Sequence, residues 1–186
     1  SPAVKAAKVE SPHAAFGGGA PVVTDLDGDG AMEVGATSLE GDVSVWAADG
    51  TPREGFETSK VDGRHVSATR IDPVFSESAL DSHNRTKRQI IAQPAVADLD
   101  GDGRQEIVVA AMDRHLYSWH DDGMSVAGFP LLLADPTTAA SIDPTTHRIT
   151  YADGTKVADG GELTATPAIG DLDGDGKPEI VVGAQE

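Results

Sequence analysis

The chain has no cysteine and few basic residues, and these two deficits narrow the classes of protein to which it can belong. Without cysteine in its 186 residues, it can form neither a disulfide framework nor a thiolate metal site. Only 14 Lys and Arg stand against 31 Asp and Glu, which gives a formal net charge of −17. Nucleic-acid binding rests on basic patches that neutralise phosphates, so this balance argues against a nucleic-acid partner.

Long apolar runs and helical patterns are also missing. No apolar run approaches the roughly 18 residues that suggest a membrane span, so no membrane insertion is predicted. The 21 Gly and 11 Pro favour turns and short strands. No nucleophile elbow, phosphate loop or zinc signature is present, so no enzymatic activity is predicted. No signal peptide is visible either, and the beginning Ser1-Pro2 is expected of a processed or recombinant start.

What the chain does have is one acidic run, Asp-Leu-Asp-Gly-Asp-Gly, in three copies. Successive copies are 73 residues apart and begin at Asp25, Asp98 and Asp171. The ninth position of each copy is a glutamate: Glu33, Glu106 and Glu179. We refer to residues 25–33, 98–106 and 171–179 as loops 1, 2 and 3. Self-similarity at a fixed period indicates a repeated structural unit.

The repeat predicts the organisation of the chain. Residues 1–19 are predicted to be an N-terminal extended segment. The three repeats are predicted at 20–92, with a long loop at 57–92; at 93–165, with a long loop at 130–163; and at 166–186, the start of a third. The two poorly matched stretches are interpreted as long loops or inserted hairpins.

Each repeat has the pattern of four short antiparallel strands. Short apolar segments precede the loops, and β-branched runs bounded by Gly and Asp follow them. The fourth strands are predicted to begin near Phe56 and Phe129, and the matching Trp46 and Trp119 are predicted to pack between repeats. Four antiparallel strands make one propeller blade. The predicted fold class is therefore all-β, with about two and a half β-propeller blades present.

The spacing of the carboxylates in each loop indicates a hard cation. Asp at positions 1, 3 and 5 can turn three carboxylates inward, and Gly at positions 4 and 6 permits the backbone angles of a curled loop. A carbonyl at position 7 and the Glu at position 9 would complete an oxygen cage. Ca²⁺ accepts six to eight such ligands, whereas Mg²⁺ keeps several waters. An empty loop would suffer repulsion of about 4 kcal/mol for each close pair of like charges.

An EF-hand loop and a plain Asp-Gly turn are the two competing explanations of the acidic run. An EF-hand needs a bidentate Glu at position 12 and helical flanks. Position 12 holds Ala36, Val109 and Val182, and the flanks have strand patterns, so that reading fails. The other explanation is that the acidic runs are plain Asp-Gly turns. Three copies in register, each with Glu at position 9, argue against that explanation.

The three loops resemble the Asp-x-Asp-x-Asp-Gly-x-x-(Asp/Glu) calcium loops of FG-GAP and VCBS repeats. Those repeats form the blades of integrin α-subunit-like β-propellers and of many bacterial secreted proteins. The resemblance covers roughly residues 20–56, 93–133 and 164–186. It implies three Ca²⁺ sites, each in the hairpin between the first two strands of a blade. The implied ligands are four side chains and one main-chain carbonyl per loop: Asp25, Asp27, Asp29, Ala31 and Glu33; Asp98, Asp100, Asp102, Arg104 and Glu106; Asp171, Asp173, Asp175, Lys177 and Glu179.

By the same resemblance, the chain is expected to be an extracellular or cell-surface module that binds a protein or glycan, with structural calcium. Two alternatives stay open. One is the propeller part of a secreted polysaccharide-active enzyme. The other is a self-assembling unit whose open blade edges are completed by neighbouring chains. Closed propellers have roughly four to eight blades, so a fragment of a longer protein is expected.

Other features of the sequence support only weaker expectations. The six His show no repeated spacing and no evident carboxylate partner, and are expected at ordinary surface or loop positions. Asn84-Arg85-Thr86 matches a glycosylation sequon, a pattern that often arises by chance. The basic stretch 85–88 is expected to be a solvated loop tip.

Overall fold

The computed structural model of the protein describes residues 19–61, 64–72, 89–152 and 161–185. The regular structure of these residues is all-β, and every pairing between strands is antiparallel. The strands are β1 Val22–Thr24, β2 Glu33–Thr37, β3 Val43–Trp46, β4 Thr58–Val61, β5 Arg64–Ser67, β6 Ala95–Ala97, β7 Glu106–Ala110, β8 His115–Trp119, β9 Leu131–Leu132, β10 Ala139–Ile142, β11 Ile149–Tyr151, β12 Ala168–Gly170 and β13 Glu179–Val181.

The first two strands of every repeat form a hairpin with the same register. The hairpins are β1–β2, β6–β7 and β12–β13. The residues that face each other at the centre of the hairpins are Val23 and Val34, Val96 and Ile107, and Ile169 and Ile180. These pairs are separated by the sequence period, so the repeat in sequence is also a repeat in structure.

The second repeat forms the complete blade that its sequence predicts. Its strands follow one another in the order β6-β7-β8-β9. The short fourth strand, Leu131–Leu132, pairs with β8 soon after Phe129, so the predicted position of this strand is confirmed. Four antiparallel strands joined in sequence order are the architecture of a propeller blade.

The first repeat differs from the second in its fourth strand. The prediction that the strand near Phe56 is the fourth strand of the blade was wrong. Strand β4 begins at Thr58, but it pairs with β5 and not with β3. Residues 69–71 run beside the start of β3 instead, where Val43 N donates to Thr69 O at 3.0 Å and Ile71 N to Gly41 O at 3.0 Å. The β4–β5 hairpin satisfies its own backbone groups, and the chain returns to the sheet only after it.

Inserted hairpins occupy both of the poorly matched stretches. The β4–β5 hairpin lies in the first stretch and the β10–β11 hairpin in the second. Both hairpins lie within the stretches that the sequence analysis interprets as long loops or inserted hairpins. Residues 1–18, 73–88 and 153–160 lie outside the described residues, and with them most of the predicted N-terminal segment, the sequon at Asn84 and the basic stretch 85–88.

The three repeats are stacked side by side. Strand β1 contacts β6, and β6 in turn contacts β12, so the first strands of the repeats are neighbours. A hydrogen bond from Gln93 N to Thr166 Oγ1, at 3.2 Å, joins residues one period apart between the second and third repeats. This is the arrangement of successive blades, and the described residues form part of a β-propeller whose ring is not closed among them.

Strand β7 lies at the centre of this stack and is buried along its whole length. Its side chains divide by parity, as expected of a strand covered on both faces. Ile107 and Val109 point into one hydrophobic cluster, between the first and second repeats, with Val45, Phe56 and Trp119 among its other members. Val108 and Ala110 point into a second cluster, with Leu163 and with Ile169 and Ile180 of the third repeat. The second repeat therefore anchors the other two.

The two tryptophans have different surroundings. Trp119 is 6% exposed and belongs to the cluster between the first two repeats, so its predicted packing position is confirmed. Its ring stacks on Tyr117, with centroids 5.4 Å apart. Trp46 is half-buried and lies outside both clusters. The difference arises because Trp119 faces the first repeat, whereas no described repeat precedes the first one.

Within the described parts of the chain, no helix is long and apolar enough to cross a membrane.

Candidate metal centres

Each acidic loop connects the first two strands of its repeat. Loop 1 joins β1 to β2, loop 2 joins β6 to β7, and loop 3 joins β12 to β13. In each case the first Asp follows directly after a strand, and the Glu at position 9 is the first residue of the next strand. The placement of each loop in the first hairpin of a blade is therefore confirmed.

The loops curl because their carboxylates accept hydrogen bonds from their own backbone. The Asp at position 1 accepts from the Gly at position 6, at 3.0, 2.9 and 2.9 Å in loops 1, 2 and 3. The Asp at position 3 accepts from the amide of position 5, at 3.2, 3.2 and 3.0 Å. The Asp at position 5 accepts from the amide of position 7, at 2.7, 2.8 and 2.8 Å. The three loops share these hydrogen bonds. Loops 2 and 3 have one more, from the amide of position 4 to Oδ1 of the first Asp at 2.6 Å in both, which loop 1 lacks.

Glycine at positions 4 and 6 permits this curl. Gly28 and Gly30 of loop 1 have φ angles of 76° and 89°, in the left-handed region that side chains disfavour. Loops 2 and 3 have positive φ angles at the same positions. The requirement for glycine at both positions, predicted from the sequence, is confirmed.

The glutamate at position 9 closes the loop from the other side. Its Oε2 accepts from the amide of the Leu at position 2, at 2.9 Å for Glu33, 2.6 Å for Glu106 and 2.7 Å for Glu179. Glu33 is 2% exposed and Glu106 0%, so both carboxylates are held under the loop and away from water. Buried carboxylates need partners, and a single backbone amide satisfies only part of that need.

Most of the predicted side-chain ligands meet in space. In each loop, three of them place one oxygen each within 4.8 Å of the other two: Asp25, Asp27 and Asp29; Asp98, Asp100 and Asp102; Asp171, Asp173 and Glu179. Glu33, Glu106 and Asp175 do not join these sets of three. For Ala31, Arg104 and Lys177 the structure places the amide, which donates to the Asp at position 5; the ligand role of their carbonyls stays a prediction.

Loop 1 contains an oxygen that needs a partner. Oδ1 of Asp25 is buried and has no hydrogen-bond partner among the described residues. Leaving such a buried acceptor unsatisfied costs about 1–3 kcal/mol, and more for a charged group. The donor set around it consists of carboxylate oxygens, which suit a hard divalent cation. The residues present therefore fit Ca²⁺.

An arginine that the sequence analysis did not single out contacts loop 1. Arg53 Nη2 lies 2.6 Å from Asp27 Oδ2. Burial raises the pKa of Asp27, but the hydrogen bond and charge of Arg53 and the backbone amides outweigh it and hold this pKa below its usual value. Position 53 is occupied by Val126 one period later. The sequence signal that could have pointed to Arg53 is this difference between the repeats, a charged residue in one and an apolar residue in the other.

A histidine contacts loop 2, and here the expectation for the six His was wrong. His120 Nδ1 lies 3.2 Å from Glu106 Oε1. One ring nitrogen of His120 and one carboxylate oxygen each of Asp100 and Glu106 lie within 4.8 Å of one another. Burial raises the pKa of Glu106, although the Leu99 amide and His120 act in the opposite direction. His120 corresponds to Ala47 in the first repeat, which is again a break in the repeat.

His115 also departs from that expectation. It is 2% exposed on β8, and its Nδ1 is 3.5 Å from Asp113 Oδ1. The ring is buried because both faces of β8 are covered. The sequence period alone does not predict this burial.

Comparison with known families agrees with this geometry. Residues 98–182 match the sequence profile of a family described as the FG-GAP-like repeat. This region is consistent with an FG-GAP-like repeat. The matched region begins with loop 2 and extends past loop 3, so it includes two of the three acidic loops and the blade between them. No curated protein matches the chain. The FG-GAP-like repeat and the stacked antiparallel sheets together identify a β-propeller-type module.

Proposed function

We propose that this protein is a calcium-binding β-propeller module that acts outside the cell or at its surface and binds a protein or glycan partner. The observation that carries the proposal is the shared geometry of the three loops, which aims several carboxylate oxygens at one point in each. The unpartnered Oδ1 of Asp25 supports the same assignment. Bound Ca²⁺ would neutralise part of the negative charge that each loop concentrates.

Calcium would be held by the residues named above at positions 1, 3, 5, 7 and 9 of each loop. In this role it is structural, because it ties the end of the first strand to the start of the second. Three bound ions would change the formal charge from −17 to −11. The ion would bind the folded chain and not the unfolded one, and it would therefore stabilise the fold by mass action.

Chelation tests the metal assignment. Removing Ca²⁺ with EGTA should lower the melting temperature, because each site contributes about 2.7 kcal/mol when free Ca²⁺ exceeds its Kd a hundredfold. Ca²⁺ should restore the melting temperature better than Mg²⁺, since Mg²⁺ gives up its waters reluctantly. Asp100→Ala should remove one site and leave two able to bind. An unchanged melting curve after chelation would contradict the assignment.

Self-association is a second candidate function, and one surface favours it. Leu172 and Val181 of the third repeat are 68% and 53% exposed. Their counterparts in the second repeat, Leu99 and Val108, pack against the third repeat in the second hydrophobic cluster. The first repeat of another copy would offer Val23, which is 64% exposed and equivalent to Ile169. We propose that the first repeat of a second copy of the chain covers the exposed surface around Leu172 and Val181. Size-exclusion chromatography at increasing concentration should then show a growing species, and a constant monomer would contradict it.

A further inference from the structure

We propose that loops 1 and 2 bind calcium cooperatively, each raising the affinity of the other, whereas loop 3 binds independently of them. The proposal rests on the calcium-binding function proposed above and concerns how its sites are connected. A hydrogen bond, a close approach of the backbones and a chain of charges between the first two loops carry the argument, and one residue of loop 3 explains why the connection stops there.

The backbone of Leu26 in loop 1 is hydrogen-bonded both to loop 2 and to its own loop. Gln105 N donates to Leu26 O at 2.8 Å, and Leu26 N donates to Glu33 Oε2 at 2.9 Å. Leu26 lies between the ligands at positions 1 and 3 of its loop, and Gln105 between those at positions 7 and 9 of the next. A backbone shift that follows ion binding in loop 1 is therefore transmitted directly to the ligand-bearing backbone of loop 2.

The two loops also approach each other closely at another point. A Cβ atom added to Gly28 of loop 1 would lie 3.5 Å from Gly103 O of loop 2. The equivalent position in loop 2, Gly101, would meet no described atom within 4 Å. Loops 1 and 2 are in contact at this position, and loops 2 and 3 are not.

A chain of charges runs between the same two loops. Arg53 Nη2 is 2.6 Å from Asp27 Oδ2 and 3.9 Å from Asp121 Oδ2. Arg104 Nη1, from position 7 of loop 2, is 2.8 Å from the same oxygen of Asp121. The Arg53 and Asp121 side chains are 24% and 9% exposed, which limits the screening of their contact by solvent, whereas the Arg104 side chain is 53% exposed and its contact is screened more strongly. The chain Asp27–Arg53–Asp121–Arg104 therefore connects a predicted ligand of loop 1 to one of loop 2.

Loop 3 lacks the donor on which the backbone connection depends. The residue equivalent to Gln105 is Pro178, which has no amide hydrogen. The hydrogen bond from position 8 to the Leu carbonyl of the preceding loop cannot form between loops 3 and 2. One substitution at a single repeat position thus separates the connected pair from the third site.

The expected sign of the coupling is positive. Binding in loop 1 orders the Leu26 peptide, which fixes Gln105 and leaves less ordering for the second ion to impose. Coupling between two binding sites is reciprocal, so loop 2 favours loop 1 by the same factor. Repulsion between the ions acts in the opposite direction, but salt screens it, and the hydrogen bond is insensitive to salt.

Isothermal titration with CaCl₂ at high salt tests the coupling in full-length variants. Asp29→Ala and Asp175→Ala inactivate loops 1 and 3 at the same loop position, and the double variant leaves loop 2 alone. Restoring loop 1 should raise the affinity of loop 2 by about fivefold or more, the lower end of typical coupling. Restoring loop 3 should change it by less than about twofold.

A matched pair of substitutions isolates the backbone contact. Gln105→Pro removes the amide hydrogen and copies the residue that loop 3 already tolerates, whereas Gln105→Ala keeps the amide. The proline variant should lose the coupling and the alanine variant should retain it. The same difference is expected when all three loops are intact, where the Hill coefficient of Ca²⁺ binding measures the cooperativity. An affinity of loop 2 that stays the same whether or not loop 1 is restored would overturn the coupling while leaving calcium binding intact. A chain that takes up no Ca²⁺ would instead overturn the proposed function.

Discussion

The first and third repeats have the same acidic loop, but their leucines at position 2 lie in opposite environments. Leu26 is 1% exposed, because the second repeat covers it, whereas Leu172 is 68% exposed. The two residues have the same neighbours in sequence and the same place in a hairpin of identical register. Burial in this fold is therefore a property of the interface between repeats and not of the repeat itself, as in other proteins that stack structural repeats.

Replacing each leucine by alanine tests this difference in burial most directly. Leu26→Ala should destabilise the protein by about 2–5 kcal/mol, because it removes buried methyl groups and leaves a cavity between the first two repeats. Leu172→Ala should change the free energy of unfolding by less than about 0.5 kcal/mol. Denaturant unfolding of both variants at a fixed Ca²⁺ concentration measures the difference. Equal losses would show that something covers Leu172 in solution.

A glycine pair one period apart sharpens the same point. Gly55 and Gly128 have φ angles of 82° and 91°. A Cβ on Gly55 would overlap Asp122 O of the second repeat, whereas one on Gly128 would meet no described atom within 4 Å. Gly128→Ala should cost only the backbone strain, about 1–2 kcal/mol. Gly55→Ala should cost about 1–3 kcal/mol more, because the repeats must move apart.

Thermal unfolding of the two glycine variants gives this comparison in one experiment. A Gly55→Ala variant as stable as Gly128→Ala would mean that the first and second repeats are not in contact at this point.

The smallest expected effect concerns how the inserted hairpin is attached to the second repeat. His147 Nδ1, in the β10–β11 turn, lies 2.9 Å from His115 Nε2. Burial, together with the neighbouring His115, lowers the pKa of His147, whereas Asp143 acts to raise it. Since the folded state binds this proton less readily than the unfolded state, stability should be complete above about pH 6.5 and fall as the pH drops below it.

Chemical denaturation between pH 7.5 and pH 5.5 in EGTA measures this dependence without the metal sites. The slope should stay well under about 1.4 kcal/mol per pH unit, because the His147 ring is partly solvated. His147→Gln should reduce the slope. The first repeat has Asp42 at the position equivalent to His115, so it offers no histidine pair. An unchanged slope in the variant would assign the effect to other groups.

Much of the fold was predictable, because it depends on the pattern within one repeat. The acidic loops, the glycine positions and the first three strands follow from local spacing. The position of β9 after Phe129 was also predictable, but the equivalent strand near Phe56 was not. In the first repeat the β4–β5 hairpin intervenes, and no local signal distinguishes a strand that joins the sheet from one that pairs with its own neighbour.

For the candidate site, too, the features within one repeat were predictable and the contacts between repeats were not. Side chains at fixed positions within a loop could be named, and most of them meet in space. The residues missed were Arg53, His120 and Gln105, which act between a loop and another part of the stack. Their contacts depend on how neighbouring repeats are placed, which a period in sequence does not specify. The signal that remained was the break in repetition at these positions, such as Pro178 in place of Gln105.

The central claim is that each acidic loop holds one calcium ion. Crystals grown with millimolar CaCl₂, with anomalous diffraction measured at long wavelength, test it most directly. We expect three anomalous peaks per chain, one in each loop, with oxygen atoms at roughly 2.3–2.6 Å from each ion. Well-ordered loops without a peak at that Ca²⁺ concentration would contradict the account.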